Sequence, residues 1–280
     1  RAPGWRAAAR AGINMANFLF SYWNWADQAA ATLTASHEET TLPVANLRDP
    51  DILKVWRAVG SMTPWVQVDF GAAKPVRVLG LFGLARLAPT DTIRWRLGAS
   101  AGAGDVYDSG AVPCGRFDGY AQSVHCLAEA LTARHLRVDI DAGSQSGLGY
   151  VDAGRLWAGD AWQGARNYSF GAADDIDDGK TQQNDAERAP DSSVHIDPRV
   201  PGRVKTFALD WMTPAEKYVA LEIKRKVGRK RQVVFVPDPA DVEIQREALL
   251  GLIETADPIR QMNFPTRAAA FTLRGALLEE

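Results

Sequence analysis

Few residues in this sequence stand at a spacing that could carry bond-making chemistry. His125 and Cys126 are adjacent, and a Cys–His dyad would turn the thiol into a nucleophile. Neighbours on an extended strand point to opposite faces, however, so packing for one and solvation for the other fit better. Ser100, Ser109 and Ser123 fall in turn-rich sequence, without a G-x-S-x-G elbow or a His–acid pair to activate them. Neither C-x-x-C nor H-E-x-x-H occurs, and His37, His125, His135 and His195 are scattered. Gly102 and Gly104 imitate part of a phosphate loop, but no Lys-Ser/Thr pair follows them. Asp174, Asp175, Asp177, Asp178 and Gly179 outline a calcium loop. With Gly179 in its sixth position, Ile176 occupies the third, where an oxygen ligand is required, and Asp185 stands where Glu is usual. A solvated acidic loop is the better reading. A glycosidase needs two opposed carboxylates, and nothing singles out a pair among 34 acids. These residues imply no enzyme, no resident cofactor and no metal.

The bulk properties narrow the classes further. A chain of 280 residues suggests two domains, and 46% hydrophobic with 24% charged residues is ordinary globular composition. Lys and Arg number 32 against 34 Asp and Glu, a formal charge of −2 that excludes a generically basic nucleic-acid binder. No apolar run reaches the roughly 18 residues of a membrane span. Cys114 and Cys126 cannot make a disulfide framework, and two reduced thiols are expected. Residues 1–14 carry Arg1, Arg6 and Arg10 with no acid. No apolar stretch of about 7–15 residues follows, so a secretory signal is not expected. Met15 reads as the natural start, with residues 1–14 an upstream extension.

Whatever chemistry remains must be positioned by strands. Val66, Val68 and Phe70 alternate with Trp65, Gln67 and Asp69; Ile93, Trp95 and Leu97 alternate with Arg94 and Arg96; Leu136, Val138 and Ile140 alternate with His135, Arg137 and Asp139. Residues 31–35 alternate too. Turn signals separate these runs at Phe70-Gly71, residues 88–91, 101–104, 108–110 and 142–144. Short strands without intervening helices indicate an antiparallel sandwich or jelly roll. Trp56 and Trp65 are expected to be its large buried anchors, and Asp69 should hold loop amides at its strand end.

The pattern changes near Asp160. Residues 161–166 read as a linker, and Thr213-Pro214-Ala215-Glu216 is a capping box that starts a helix over 213–227. Ala215, Val219, Ile223 and Val227 should form its buried stripe, and Gly228 its C-terminal cap. The cations from Lys224 to Arg231 complement the helix dipole as a solvated face. Strands follow at 232–236, 249–253 and 269–273. The fold class is mainly β: a jelly-roll sandwich plus a β-barrel or sandwich domain with one α-helix. The domains are then residues 15–160 and 161–280.

Residues 42–47 (Leu-Pro-Val-Ala-Asn-Leu), Val55-Trp56-Arg57 and the strand W-V-Q-V-D-F-G from Trp65 to Gly71 resemble the discoidin-like, coagulation-factor type C domain, as do Arg134 to Val138. The likeness spans roughly residues 16–160 and implies sugar or lipid binding by the loops at one end. On that scaffold the loops 46–57 and 83–91 carry Arg48, Asp49, Arg57, Arg86 and Asp91, which can hydrogen-bond hydroxyls or carboxylates. Trp56 or Tyr150 would stack on a sugar ring. The order of elements after Tyr168, through Val234 to Pro239 and on to Phe271-Thr272-Leu273 and Glu279-Glu280, resembles minor tail and distal-tail baseplate proteins of long-tailed bacteriophages. That resemblance implies a structural virion component at the tail tip, assembled in the host cytoplasm. Its partners would be other tail proteins, in a homo-oligomeric ring whose interface lies on the second domain, and a host glycan. A free carbohydrate-binding module or adhesin is the alternative, with an enzyme third.

Overall fold

The computed structural model describes residues 16–84, 86–117, 120–143, 147, 149–177 and 202–275. The extension at 1–14, the Gly179 and Asp185 positions of the acidic segment, and Glu279-Glu280 lie outside these residues. Ten strands make up the first part: β1 (Leu19–Asn24), β2 (Thr32–Ala35), β3 (Trp56–Val59), β4 (Trp65–Phe82), β5 (Thr92–Gly98), β6 (Tyr107–Asp108), β7 (Val112–Pro113), β8 (Gln122–Asp141), β9 (Tyr150–Ala153) and β10 (Arg155–Gln163). Then come β11 (Ala173–Asp177), β12 (Gly202–Met212), helix α1 (Pro214–Val227), β13 (Gln232–Val236), the single turn α2 (Ile244–Glu247), β14 (Leu249–Ala256), β15 (Arg260–Gln261) and β16 (Arg267–Gly275).

The chain is mainly β, as the alternation requires. All the pairings are antiparallel, and one large sheet runs β11-β12-β16-β14-β13-β1-β10-β4-β8-β5-β6, with β3 and β9 forming a separate pair. The expected strands at 65–70 and 135–140 are ends of longer ones. β4 and β8 stay paired past bulges at Asp69–Lys74 and Val76–Val78, which bend them around the first core. Val66, Val68 and Phe70 turn into that core with Trp56, Trp95, Leu97, Leu136 and Val138. Asp69 accepts from the Gly71 amide at 2.8 Å, the strand-end role its position indicated.

Trp65 departs from expectation. It shares the outer face with Gln67 and Asp69, is only half-buried, and carries the Arg137 guanidinium 4.3 Å from its ring centroid. Among the described residues the fully buried tryptophans are Trp56, Trp95 and Trp157. The strand period explains this: Trp65 is out of phase with Val66.

β1 joins the two parts of the chain. It pairs with β10 on one side and β13 on the other. The alternation that leads from Phe18 into it serves two cores: Phe18 and Phe20 enter an aromatic cluster with Phe207, Phe235 and Phe271, while Leu19 packs with Val78, Trp157 and Val234. Phe207 stacks on Phe235 with centroids 4.4 Å apart. The stretch 161–166 is therefore not all linker, because Ala161–Gln163 complete β10 against β1.

Helix α1 covers the aromatic cluster. Thr213 Oγ1 accepts from the Glu216 amide, the Glu216 carboxylate accepts from the Thr213 amide, and Gly228 caps the far end. The buried stripe is Ala220, Ile223 and Val227; Ala215 is exposed, because the helix leans on the sheet only from its second turn. Asp174, read as the start of a solvated loop, lies on β11 and pairs with Arg203 and Lys205 across β12. Among the described residues no His, Cys, Asp and Glu group could hold a metal ion, and no helix is long and apolar enough to cross a membrane.

Candidate functional site

The separate β3–β9 pair sets the first candidate site. Its register places Arg57 opposite Asp152 and Val59 opposite Tyr150. Trp56 and Ala58 point into the core, so Arg57 faces outward by the two-residue period. From there its Nε and Nη2 each donate to one Asp152 oxygen at 2.8 Å, and its guanidinium lies 4.2 Å from the Tyr150 ring centroid. The fork geometry suits a carboxylate, and the Asp152 hydrogen bond raises the Arg57 pKa further.

Arg86 reaches the same ring from the loop after β4, 5.8 Å from the centroid. The departure of that loop depends on Gly83, whose φ is +75° and where a Cβ would sit 2.8 Å from the Gly154 amide nitrogen. Arg86 is exposed, and no carboxylate lies within ion-pair distance of it among the described residues. Tyr150 is half-buried. The site thus presents a phenol, one arginine locked by Asp152 and one arginine open to solvent. Such groups bind hydroxyls and carboxylates; they lack a nucleophile and base in contact.

The other predicted residues do not converge there. Arg48 donates to the carbonyls of Gln28 and Ala31 and ties one turn to another. Asp49 pairs with Lys54 at 2.8 Å and accepts from the Asp51 amide. Asp91 is buried and accepts from the Ala88 amide, which closes the 88–91 turn. Trp56 corrects the expectation of a stacking platform: it is 0% exposed, its Nε1 donates to the His37 carbonyl, and neither ring face is available to a sugar. Asp152 is the residue the sequence reading missed. Its partner lies 95 positions away, and nothing local to β9 announces the pairing.

The thiol and imidazole are separated as the strand period demands. His125 stacks on Trp95 at 12° and hydrogen-bonds Tyr107 Oη at 2.7 Å. Cys126 packs on the opposite side, near Val78 and Val124, where desolvation pushes its thiol up to about 12. Cys114 donates to the Ala88 carbonyl, and both cysteines are free.

No family model matches the sequence, and no curated protein does either. Solved structures resemble about half of the chain. The family 32 carbohydrate-binding module of Clostridium perfringens NanJ, in complex with galactose, is 13% identical over 50% of this chain and 99% of its own, with a TM-score of 0.38. Chitosan-binding module 1 of a Paenibacillus sp. IK-5 chitosanase/glucanase is 17% identical over 49% of this chain and 99% of its own, at 0.38. A Ruminococcus gnavus GH29 fucosidase in complex with fucose is 16% identical over 50% of this chain but only 27% of its own, at 0.37.

Proposed function

We propose that the chain is a non-catalytic carbohydrate-binding protein that takes sugar at the loop end where Arg57 and Arg86 approach Tyr150. The observation that carries this reading is the shared Tyr150 ring. Two guanidiniums meet it from separate elements, and one of them, Arg86, has no ion-pair partner among the described residues. A phenol edge and a forked donor match the hydroxyl pairs of a pyranose, and a carboxylate-bearing sugar fits Arg86 better still. The test is a glycan array with the full chain, followed by titration of its best ligands. Arg86→Ala and Tyr150→Ala should each weaken binding about tenfold or more, equivalent to ~1.4 kcal/mol. Binding unchanged by both variants, or no binding by the wild-type chain, rejects the site.

A second reading keeps the tail-tip role and rests on a different observation. Met262 and Phe264 are 61% and 91% exposed on the short turn between β15 and β16, and Trp211 is half-exposed on β12. Exposed apolar side chains concentrated on the later part of the chain suit contact with neighbouring protein subunits, including copies in a ring. Sedimentation of the chain alone and electron microscopy of tail preparations test it. A monomer at high concentration that fails to co-purify with tails rejects it.

A further inference from the structure

A second recess, which shares no lining residue with the Tyr150 site, lies where the first sandwich meets helix α1. It is a cleft of about 880 Å³, within the size range of small-molecule sites and at the junction of two structural units, where such sites concentrate. β1 and β10 supply part of its lining through Tyr22, Asp160 and Trp162. The turn after β1 contributes Trp25, the β4 bulge contributes Lys74, and α1 contributes Lys226. Its wall is fixed by close backbone contact: Gly71 has φ +77°, and a Cβ there would sit 2.9 Å from the Ala30 carbonyl oxygen.

Two features set its chemistry. First, Tyr22, Trp23, Trp25 and Trp162 all line the recess and all remain half-buried, whereas Trp56, Trp95 and Trp157 are fully enclosed. Trp25 is held in place by its Nε1, which donates to the Pro75 carbonyl at 2.6 Å, and it meets Trp23 edge-on at 65°. The neighbouring wall residues Ala29, Ala30 and Ala72 are small, and cations lie over the indoles: Lys74 is 5.2 Å from the Trp25 ring centroid, and Arg231 and Lys226 are 4.7 and 5.2 Å from that of Trp23. Second, the charge is one-sided. A polar annex of about 280 Å³ shares Tyr22, Trp23 and Gln28 with the cleft. Cleft and annex together are lined by six cations (Lys74, Lys226, Arg48, Arg155, Lys230, Arg231) against two carboxylates, Asp27 and Asp160. Asp27 is already engaged by Arg155, and Asp160 accepts from the Ala161 amide. Lys74, Lys230 and Arg231 have no carboxylate partner among the described residues, although the chain as a whole carries a charge of −2.

We infer that this cleft is a second binding site, for an acidic saccharide whose carboxylates face Lys74 and Arg231 where they overhang the indoles and whose rings pack along the aromatic wall beside them. The aromatic wall supplies apolar contact to the C–H surface of a sugar, and cations that lack a carboxylate partner select the charged one. The site uses α1 and β1, so it stands independently of the Tyr150 loop end.

The experiment titrates the full chain with tri-galacturonate, with an uncharged trisaccharide of glucose and with a proline-rich peptide, read by tryptophan fluorescence and calorimetry. Tri-galacturonate should shift the emission and bind at least about tenfold tighter than the neutral sugar. Added salt should weaken it. Lys74→Glu and Arg231→Glu should each abolish that preference while the far-ultraviolet spectrum and melting temperature stay as in the wild type, and Tyr150→Ala should leave it intact. Equal affinity for charged and neutral sugars, tighter binding of the peptide, or loss of binding in Tyr150→Ala with retention in Lys74→Glu would each overturn the assignment. So would the absence of any emission change with tri-galacturonate.

Discussion

The Arg57 guanidinium spans Asp152 and the Tyr150 ring at once, with both carboxylate oxygens at 2.8 Å and the ring centroid at 4.2 Å. The two partners are unequal. Asp152 is 6% exposed and depends on Arg57 to compensate its charge, whereas Tyr150 is half-open. Arg57→Ala should therefore act first on folding, costing about 1–3 kcal/mol by leaving a buried carboxylate unpaired. Arg86→Ala, at an exposed side chain without an ion pair, should leave the melting temperature within error. Thermal melts of the two variants separate these roles. Equal losses would mean that Arg86 also holds the fold.

Trp56 and Trp65 look alike in the sequence and should behave differently. Trp56 sits at 0% exposure in the sandwich core, and Trp56→Ala should cost about 3–5 kcal/mol through lost burial and a cavity. Trp65 lies on the outer face with Arg137 over it, so Trp65→Ala forfeits mainly a cation–π contact, about 1 kcal/mol. Urea denaturation of both variants measures the gap. A Trp65→Ala loss as large as that of Trp56→Ala would contradict the half-exposed placement.

This contrast shows what local pattern can and cannot read. The period-2 runs at Val66–Phe70 and Leu136–Ile140 identified strands and their inward faces, and the Thr213–Glu216 capping box located α1 to the residue. Both signals are local, because each depends on neighbours within a few positions. The pairing of β1 with β10 and β13, the Arg57–Asp152 fork and the meeting of Trp25 with α1 across a cleft are not local. Trp23 and Trp25 carry no spacing that marks a recess; only the packing of α1 opposite them makes one. Asp174 is exposed as its acidic run suggests, but it lies on a strand and not in a loop, because Arg203 and Lys205, 29 and 31 residues on, pair with it across β12.

His125 predicts a pH response near neutrality. Burial against Trp95 and Tyr107 lowers its pKa from the ordinary 6.5, so the folded protein holds the ring neutral. Below about pH 6.5 the unfolded chain takes up a proton that the folded chain refuses, so this contribution is complete above that pH and lost as the pH falls. The wild type should lose stability as the pH falls below about 6.5, and His125→Gln should flatten that segment. Chemical denaturation at a series of pH values decides it. Identical slopes for the two proteins would show that His125 is not the group responsible.

A second, more acidic step belongs to the arginine–aspartate pairs on the outer face of the first sheet. The Arg134 hydrogen bonds hold Asp69 at a pKa of about 2, and the Arg94 hydrogen bonds do the same for Asp108, each against an ordinary value of 3.8. Depressed carboxylate values mean that these pairs stabilise the fold above about pH 4 and release that stability as the pH drops towards 2. Both pairs are partly exposed, with side-chain exposures of 49% and 30% for Arg134–Asp69 and 45% and 31% for Arg94–Asp108. Solvent screening therefore keeps each contribution small. The double variant Asp69→Asn, Asp108→Asn should be slightly less stable than the wild type at neutral pH, and the gap should narrow as the pH falls from about 4 through 2. The gap narrows because protonation progressively removes the same charges from the wild type. Acid titration followed by circular dichroism measures the convergence, and a gap that persists unchanged down to pH 2 would show that the pairs contribute by packing instead of charge.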